Sequence, residues 1–202
     1  KYFNVVGYDI NNNRINQLKA GIDKNRQINQ KSLKNCKVNF TKNISDLSNI
    51  DYFIITVPTP IKINKTPDLK PLIEATKTLS TKLKKNSVVI YESTVYPGAT
   101  EEVCVPKIEE YSNKIFNNDF YCGYSPERIN PGDKKHTLKK IVKVISASDK
   151  SSLKTIKNLY SSILKSKVYI ARDIKTAEAA KVIENTQRDL NISLINELSI
   201  IF

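Results

Sequence analysis

Short apolar runs alternating with helix-patterned segments constrain this chain more than any other feature. Residues 3–8, 51–56, 87–91, 120–124, 141–145 and 168–170 are rich in Val, Ile, Phe and Tyr and read as strands, with a shorter candidate at 38–40. Between them apolar residues recur at helical spacing. Ile15 and Leu18 form one such set, Leu69, Leu72, Ile73, Thr76, Leu79 and Leu83 another, and Val103, Ile108 and Tyr111 a third with its residues turned inward. Ser148 or Asp149 is placed to cap a further helix reaching Leu164. Strand–helix alternation of this kind requires a mostly parallel sheet covered by helices on both faces. The expected fold class is therefore α/β, a doubly wound, Rossmann-like sheet.

In such sheets ligands bind beyond the C-terminal ends of the strands. Three strand ends carry short polar loops broken by Pro or Gly. They are Thr56-Val57-Pro58-Thr59-Pro60, Ser93-Thr94-Val95-Tyr96-Pro97-Gly98, and Ser125-Pro126-Glu127-Arg128-Ile129-Asn130-Pro131-Gly132-Asp133. Pro126, Pro131 and Gly132 forbid regular structure, so Glu127 and Arg128 sit in a loop just past a strand. One such pair alone is equally consistent with a solvated turn. Three loops of the same kind point to a site. Asp9 closes the first strand, where a carboxylate accepts hydrogen bonds from an adenosine ribose and repels a 2′-phosphate, favouring NAD over NADP. The same position also suits a cap, and Asn11 is a plausible N-cap for the following helix.

The last helix is read from a Thr176 cap to Phe202. Lys181, Asn185 and Arg188 share one face, and Ile183, Leu190, Leu194 and Leu198 another. An amphipathic helix with a solvated face explains that pattern as well as a site does. Ala177, Ala179 and Ala180 favour close packing at the helix start. A lysine beside such packing loses solvation and can serve as a proton shuttle or oxyanion partner.

Composition narrows the partners. The net charge of +13 would suit nucleic acid. Yet the lysines are scattered with Asn and Ile along the whole chain, with no basic patch interleaved with aromatics. An anionic small molecule such as a nucleotide fits better, and no nucleic-acid partner is expected. No apolar run approaches the roughly 20 residues of a membrane span, and no signal peptide is evident. Neither a membrane partner nor export is expected, so the location is expected to be cytoplasmic. Cys36, Cys104 and Cys122 show no CxxC spacing; two of them lie in apolar periodic segments and read as small core residues of a reducing compartment, and no metal site is expected. His136, after a lysine pair, reads as surface.

Several segments taken in order carry a resemblance: residues 5–9 with Arg14, residues 57–60, 92–98 and 124–133, and residues 178–197. Together they resemble the UDP-glucose/GDP-mannose dehydrogenase family, on the side of its members that oxidise UDP-N-acetylhexosamines for surface polysaccharide biosynthesis. The resemblance covers essentially the whole chain. It implies an NAD-dependent four-electron oxidation of a sugar C6 alcohol to a carboxylate through a cysteine thioester. By it, Asp9 and Arg14 would hold the adenosine end of NAD, with Pro58 and Thr59 lining the cofactor cleft. Thr94 would stand beside the nicotinamide and a reacting water. Glu127 would assist thioester hydrolysis. Lys181 would stabilise the oxyanion with help from Asn185, while Arg128, the Ile129 backbone and Arg188 would contact the UDP-sugar. Pro131-Gly132 stands where UDP-glucose enzymes carry a second glutamate, which argues against UDP-glucose.

On the same resemblance, residues 1–174 are expected to form the NAD-binding domain and residues 175–202 to begin the central helical domain of a homodimer. The sheet is expected to lack its first strand and Gly-rich loop, since the chain opens at Lys1 directly before a strand and holds five glycines, none in that pattern. Residues 3–8 and 52–56 should then flank the missing strand's place, leaving a groove or pairing directly. The nucleophilic cysteine is expected after Phe202, which itself falls mid-helix, and the chain is expected to be inactive alone. Two other readings remain open: a β-hydroxyacid or 6-phosphogluconate-type dehydrogenase, and a nucleotide-binding module without catalysis.

Overall fold

The structure is a computed structural model that describes residues 3–129 and 140–202. Its elements follow the order β1 (Val5–Tyr8), α1 (Asn12–Lys19), α2 (Gln30–Lys34), β2 (Val38–Thr41), β3 (Tyr52–Ile55), α3 (Lys70–Ser80), β4 (Ser87–Tyr91), α4 (Val105–Ser112), β5 (Phe120–Tyr124), β6 (Lys143–Ala147), α5 (Lys150–Ile163), β7 (Val168–Ile170) and α6 (Ile174–Ile201). A 3-10 turn spans Ile44–Leu47, and a π turn, Thr100–Cys104, leads into α4. Strands β3-β4-β5-β6-β7 form one sheet and β1-β2 a second, parallel pair. Within the larger sheet β3, β4 and β5 run parallel, and β6 meets β5 antiparallel before β7 follows it in parallel.

Helices cover both faces, as double winding requires. On one side Leu72 and Leu79 of α3, Ile108 of α4, and Ile174 and Ala177 of α6 pack on Phe53, Ile55, Val89, Tyr91, Cys122 and Tyr124. On the other, Ile156 and Tyr160 of α5 pack on Val88, Ile90 and Ile145. Alternate side chains of one strand feed opposite cores, which is why these strands read as continuous apolar runs. Gly123 lets β5 come close to β6 and α5: a Cβ there would lie 2.7 Å from the Ser146 carbonyl oxygen and 2.3 Å from Ile156 Cδ1.

Strands β1 and β3 do not pair. They fall in separate hydrogen-bonded sheets, so the expectation of direct pairing is not met. Val6 and Tyr8 of β1 nonetheless pack against the same core as Phe53 and Ile55 of β3. Ile54, on the opposite face of β3, is 47% exposed.

Other expectations shift for local reasons. The strand expected at 141–145 runs two residues later, and β1 starts at Val5, leaving Phe3 and Val142 exposed. Tyr111, in the last turn of α4, is not inward: it is 40% exposed, and the Lys77 ammonium lies 5.1 Å from its ring centroid. Asp173, not Thr176, caps α6, its carboxylate accepting the Thr176 N–H at 2.7 Å. Ala177 is buried as expected, whereas Ala180 is exposed. Helix α2 and the 3-10 turn lie in polar segments whose apolar residues are too few to show a period. Each is capped by an asparagine, Asn29 and Asn43. Residues 130–133 of the third loop, and His136, lie outside the described residues.

Candidate functional site

Parallel strands β3, β4 and β5 end together, and the three loops singled out in the sequence meet there. The Ser93 hydroxyl donates to the Val57 carbonyl at 2.7 Å, tying the second loop to the first. The Tyr124 hydroxyl donates to the Ser93 carbonyl at 3.1 Å, tying the third strand end to the second. Ser125 is fully buried, and its hydroxyl donates to the Val144 carbonyl at 2.7 Å, fixing where the third loop leaves β5.

Beyond Ser125 the loop turns on Glu127. Its Oε1 accepts the backbone N–H groups of Arg128 and Ile129, each at 2.7 Å. The Ile129 backbone, expected to contact the substrate, has its N–H engaged inside the loop. The Glu127 carbonyl accepts a hydrogen bond from the Lys181 ammonium of α6. Burial lowers the Lys181 pKa from its ordinary 10.5, with the Glu184 carboxylate opposing. Lys181 and Glu127, two expected site residues from distant segments, are therefore brought together. Arg128 and Arg188 come together as well, through Glu184: Arg128 Nε lies 2.9 Å from Glu184 Oε2 and Arg188 lies 2.7 Å from Oε1. Asn185 lies on the Lys181 side of α6, half-buried, with no side-chain hydrogen bond among the described residues. Thr94 is exposed on the second loop.

Asp9 and Arg14 form a separate group beyond β1. Asp9 Oδ1 accepts the Asn11 N–H at 2.8 Å, so the carboxylate does act as a local cap. Its other oxygen has no hydrogen bond among the described residues. Arg14 pairs with Asp23 at 2.9 Å, and its Nη1 is buried with no partner among the described residues. Asp23 also accepts the N–H groups of Asn25, Gln27 and Ile28. Burial alone would raise its pKa, yet these bonds, with Ile28 foremost, hold it below the ordinary 3.8. Pro58 is exposed, while Thr59 Oγ1 is buried with no partner among the described residues. A free carboxylate oxygen and two orphaned polar groups beside strand C-termini fit a bound dinucleotide, which would supply the missing partners.

Sequence reasoning missed three charged groups here. Lys143 has 0% side-chain exposure and lies 3.1 Å from Glu92 and 3.6 Å from Glu127. Glu178 is 0% exposed and accepts the Gly98 and Thr100 N–H groups at 2.5 and 2.9 Å. Glu184 bridges the two arginines. Lys143 left one usable signal, a cation inside the apolar run 141–145. Glu184 left a weaker one, its four-residue spacing to Arg188 on the same helix, and Glu178 left none. The cysteines match the core reading for Cys104 and Cys122, where burial pushes the Cys104 thiol up to about 11 and raises Cys122 as well. Cys36 is exposed. No helix among the described residues is long and apolar enough to cross a membrane.

Known proteins are similar to this chain in sequence and in fold. Protein CapL of Staphylococcus aureus is 51% identical over 98% of this chain and 47% of its own length. UDP-N-acetyl-D-glucosamine 6-dehydrogenase of Pseudomonas aeruginosa is 54% identical over 98% of this chain and 47% of its own length. The solved structure of the UDP-D-ManNAc dehydrogenase of Pyrococcus horikoshii superposes with a TM-score of 0.91 at 31% identity, over 99% of this chain and 48% of that one. The chain spans about half the length of the curated relatives it matches. Residues 1–164 match the sequence model of the NAD-binding domain of the UDP-glucose/GDP-mannose dehydrogenases, and the chain accordingly belongs to that family.

Proposed function

We propose that this chain is the N-terminal half of an enzyme that oxidises the C6 alcohol of a UDP-N-acetylhexosamine to the carboxylate. The overall change consumes two NAD⁺ and one water and releases two NADH and three protons. One observation carries the reading: the partly desolvated Lys181 ammonium rests on the Glu127 loop at the sheet's C-terminal edge. NAD, when bound, would supply the hydride acceptor; proton movement and charge stabilisation fall to the protein.

Asp9 hydrogen-bonds the adenosine ribose through its free oxygen, and Arg14, held by Asp23, packs beside it. Pro58, Thr59 and Thr94 line the cofactor cleft. Glu127 moves a proton to or from the attacking water. Lys181 leaves the Glu127 carbonyl to meet the negative charge developing on the C6 oxygen, and Asn185 supplies a second donor. Arg128 and Arg188 exchange Glu184 for the substrate's anionic groups, with Ile129 beside them. Residues 1–174 are the NAD-binding domain and residues 175–202 open a helical domain. In the full-length enzyme the apolar face of α6 is buried in a homodimer. A cytoplasmic location, with no nucleic-acid or membrane partner, suits a surface-polysaccharide precursor enzyme.

The test is steady-state kinetics of a full-length protein carrying this chain, with UDP-N-acetylhexosamines and NAD. Lys181→Ala is expected to lower kcat by about 10²–10³ with little change in KM, because the interaction forms in the transition state. A wild-type kcat for that variant would remove Lys181 from the mechanism. No NADH formation by the wild-type protein would remove the reaction itself.

A further inference from the structure

Lys143 lies in β6, beneath the Glu127 loop, with 0% side-chain exposure. Its Nζ is 3.1 Å from Glu92 Oε1, 3.6 Å from Glu127 Oε2, and 3.4 Å from the Pro126 carbonyl oxygen. The Tyr160 ring centroid lies 5.6 Å away, and the Tyr160 hydroxyl donates to the same Glu92 oxygen at 2.5 Å. A buried ammonium survives only when paired, and an apolar side chain would serve packing alone at least as well. The position of this cation therefore calls for a role beyond packing, and its surroundings supply one.

We infer that Lys143 is a positioning residue for Glu127, the fixed half of a two-lysine clamp on the loop that carries it. The inference rests on the dehydrogenase reading given above. The two lysines hold successive carbonyls of one loop, Lys143 that of Pro126 and Lys181 that of Glu127. They differ in freedom. Lys181 is part-exposed, and its partner is a neutral carbonyl that it can leave. Lys143 is sealed between Glu92, Glu127 and Tyr160. While Lys181 turns to the substrate, Lys143 keeps the loop in place. It also fixes the carboxylate's orientation, because Glu127 Oε1 is taken by two backbone N–H groups and Oε2 faces Lys143.

A double-mutant cycle in the full-length enzyme tests this. Lys143→Arg keeps a buried cation, but its planar, bulkier head cannot reproduce an ammonium's position. It is expected to lower kcat about fivefold or more, with the Kd for NAD, read by fluorescence titration, unchanged. In a Glu127→Gln background the same substitution is expected to change the residual kcat by less than about twofold, since the group it positions is gone. Equal losses in both backgrounds, or no loss in either, would overturn the inference. If Lys143→Arg does not fold, Lys143→Met paired with Glu92→Gln removes both buried charges together and runs through the same cycle. Failure of that pair to fold as well would assign Lys143 to the core alone and also overturn it. The dehydrogenase reading fails separately, if Glu127→Gln by itself leaves turnover of UDP-N-acetylhexosamine intact.

Discussion

Glu178 is the clearest place to test how α6 is held against the sheet. Its carboxylate is fully buried and accepts two backbone N–H groups, from Gly98 at 2.5 Å and Thr100 at 2.9 Å. Gly98 ends the Thr94 loop, and Thr100 opens the helical segment before α4. Helix starts leave such N–H groups without intrahelical partners, and here a side chain some 80 residues away supplies the acceptor. Lys181 sits one turn further along the same helix, so the bond ties the Thr94 loop and Lys181 into one unit.

In Glu178→Ala both donors remain buried and lose their partner. Each such group costs about 1–3 kcal/mol, and the desolvation cost of the carboxylate is relieved in partial offset. A net loss of about 2–4 kcal/mol follows from those terms. Glu178→Gln keeps one carbonyl oxygen but turns an NH₂ group toward the second N–H, for an expected loss of about 1–3 kcal/mol. Urea unfolding of the full-length protein measures both. The midpoint should fall for each variant, more for Ala than for Gln, with an unchanged slope. An alanine variant within about 0.5 kcal/mol of wild type would refute the reasoning, because it would mean the two N–H groups find other partners at no cost.

Two further outcomes are expected. Asp9→Asn should weaken NAD binding tenfold or more and relax discrimination against NADP. A hydrogen bond to a charged group contributes about 1.5–3 kcal/mol; unchanged affinities in titrations with both cofactors would leave Asp9 as a cap only. The helix caps should give an acid limb to stability. Thr176 lowers the Asp173 pKa below the ordinary 3.8, and Ser152 and Ser151 lower that of Asp149 against the raising effect of burial. With folded values below unfolded ones, the unfolded chain takes up protons first. This stabilisation is full above about pH 3.8 and is lost as pH falls through the folded values. Asp149→Asn should flatten that limb in thermal melts between pH 5 and about 2, and an unaltered pH profile would contradict the assignment.

The sequence alone determined the alternation of strands and helices, the double winding, and the gathering of three loops at one sheet edge. Each of these follows from local periodicity or from Pro and Gly, whose effects act within a few residues. It also placed Lys181, Asn185 and Arg188 together, because helical spacing fixes which side chains share a face. Tertiary structure alone decided that β6 runs antiparallel to β5, that β1 and β3 belong to separate sheets, and that Tyr111 faces outward. It alone decided which charges are buried. Lys143 meets Glu92, Glu127 and Tyr160, Glu178 reaches Gly98, and Glu184 joins Arg128 to Arg188. Most of these partners lie far apart along the chain, so no local pattern encodes the pairing. A charge becomes tolerable inside a protein only when the completed fold brings its counter-charge to it.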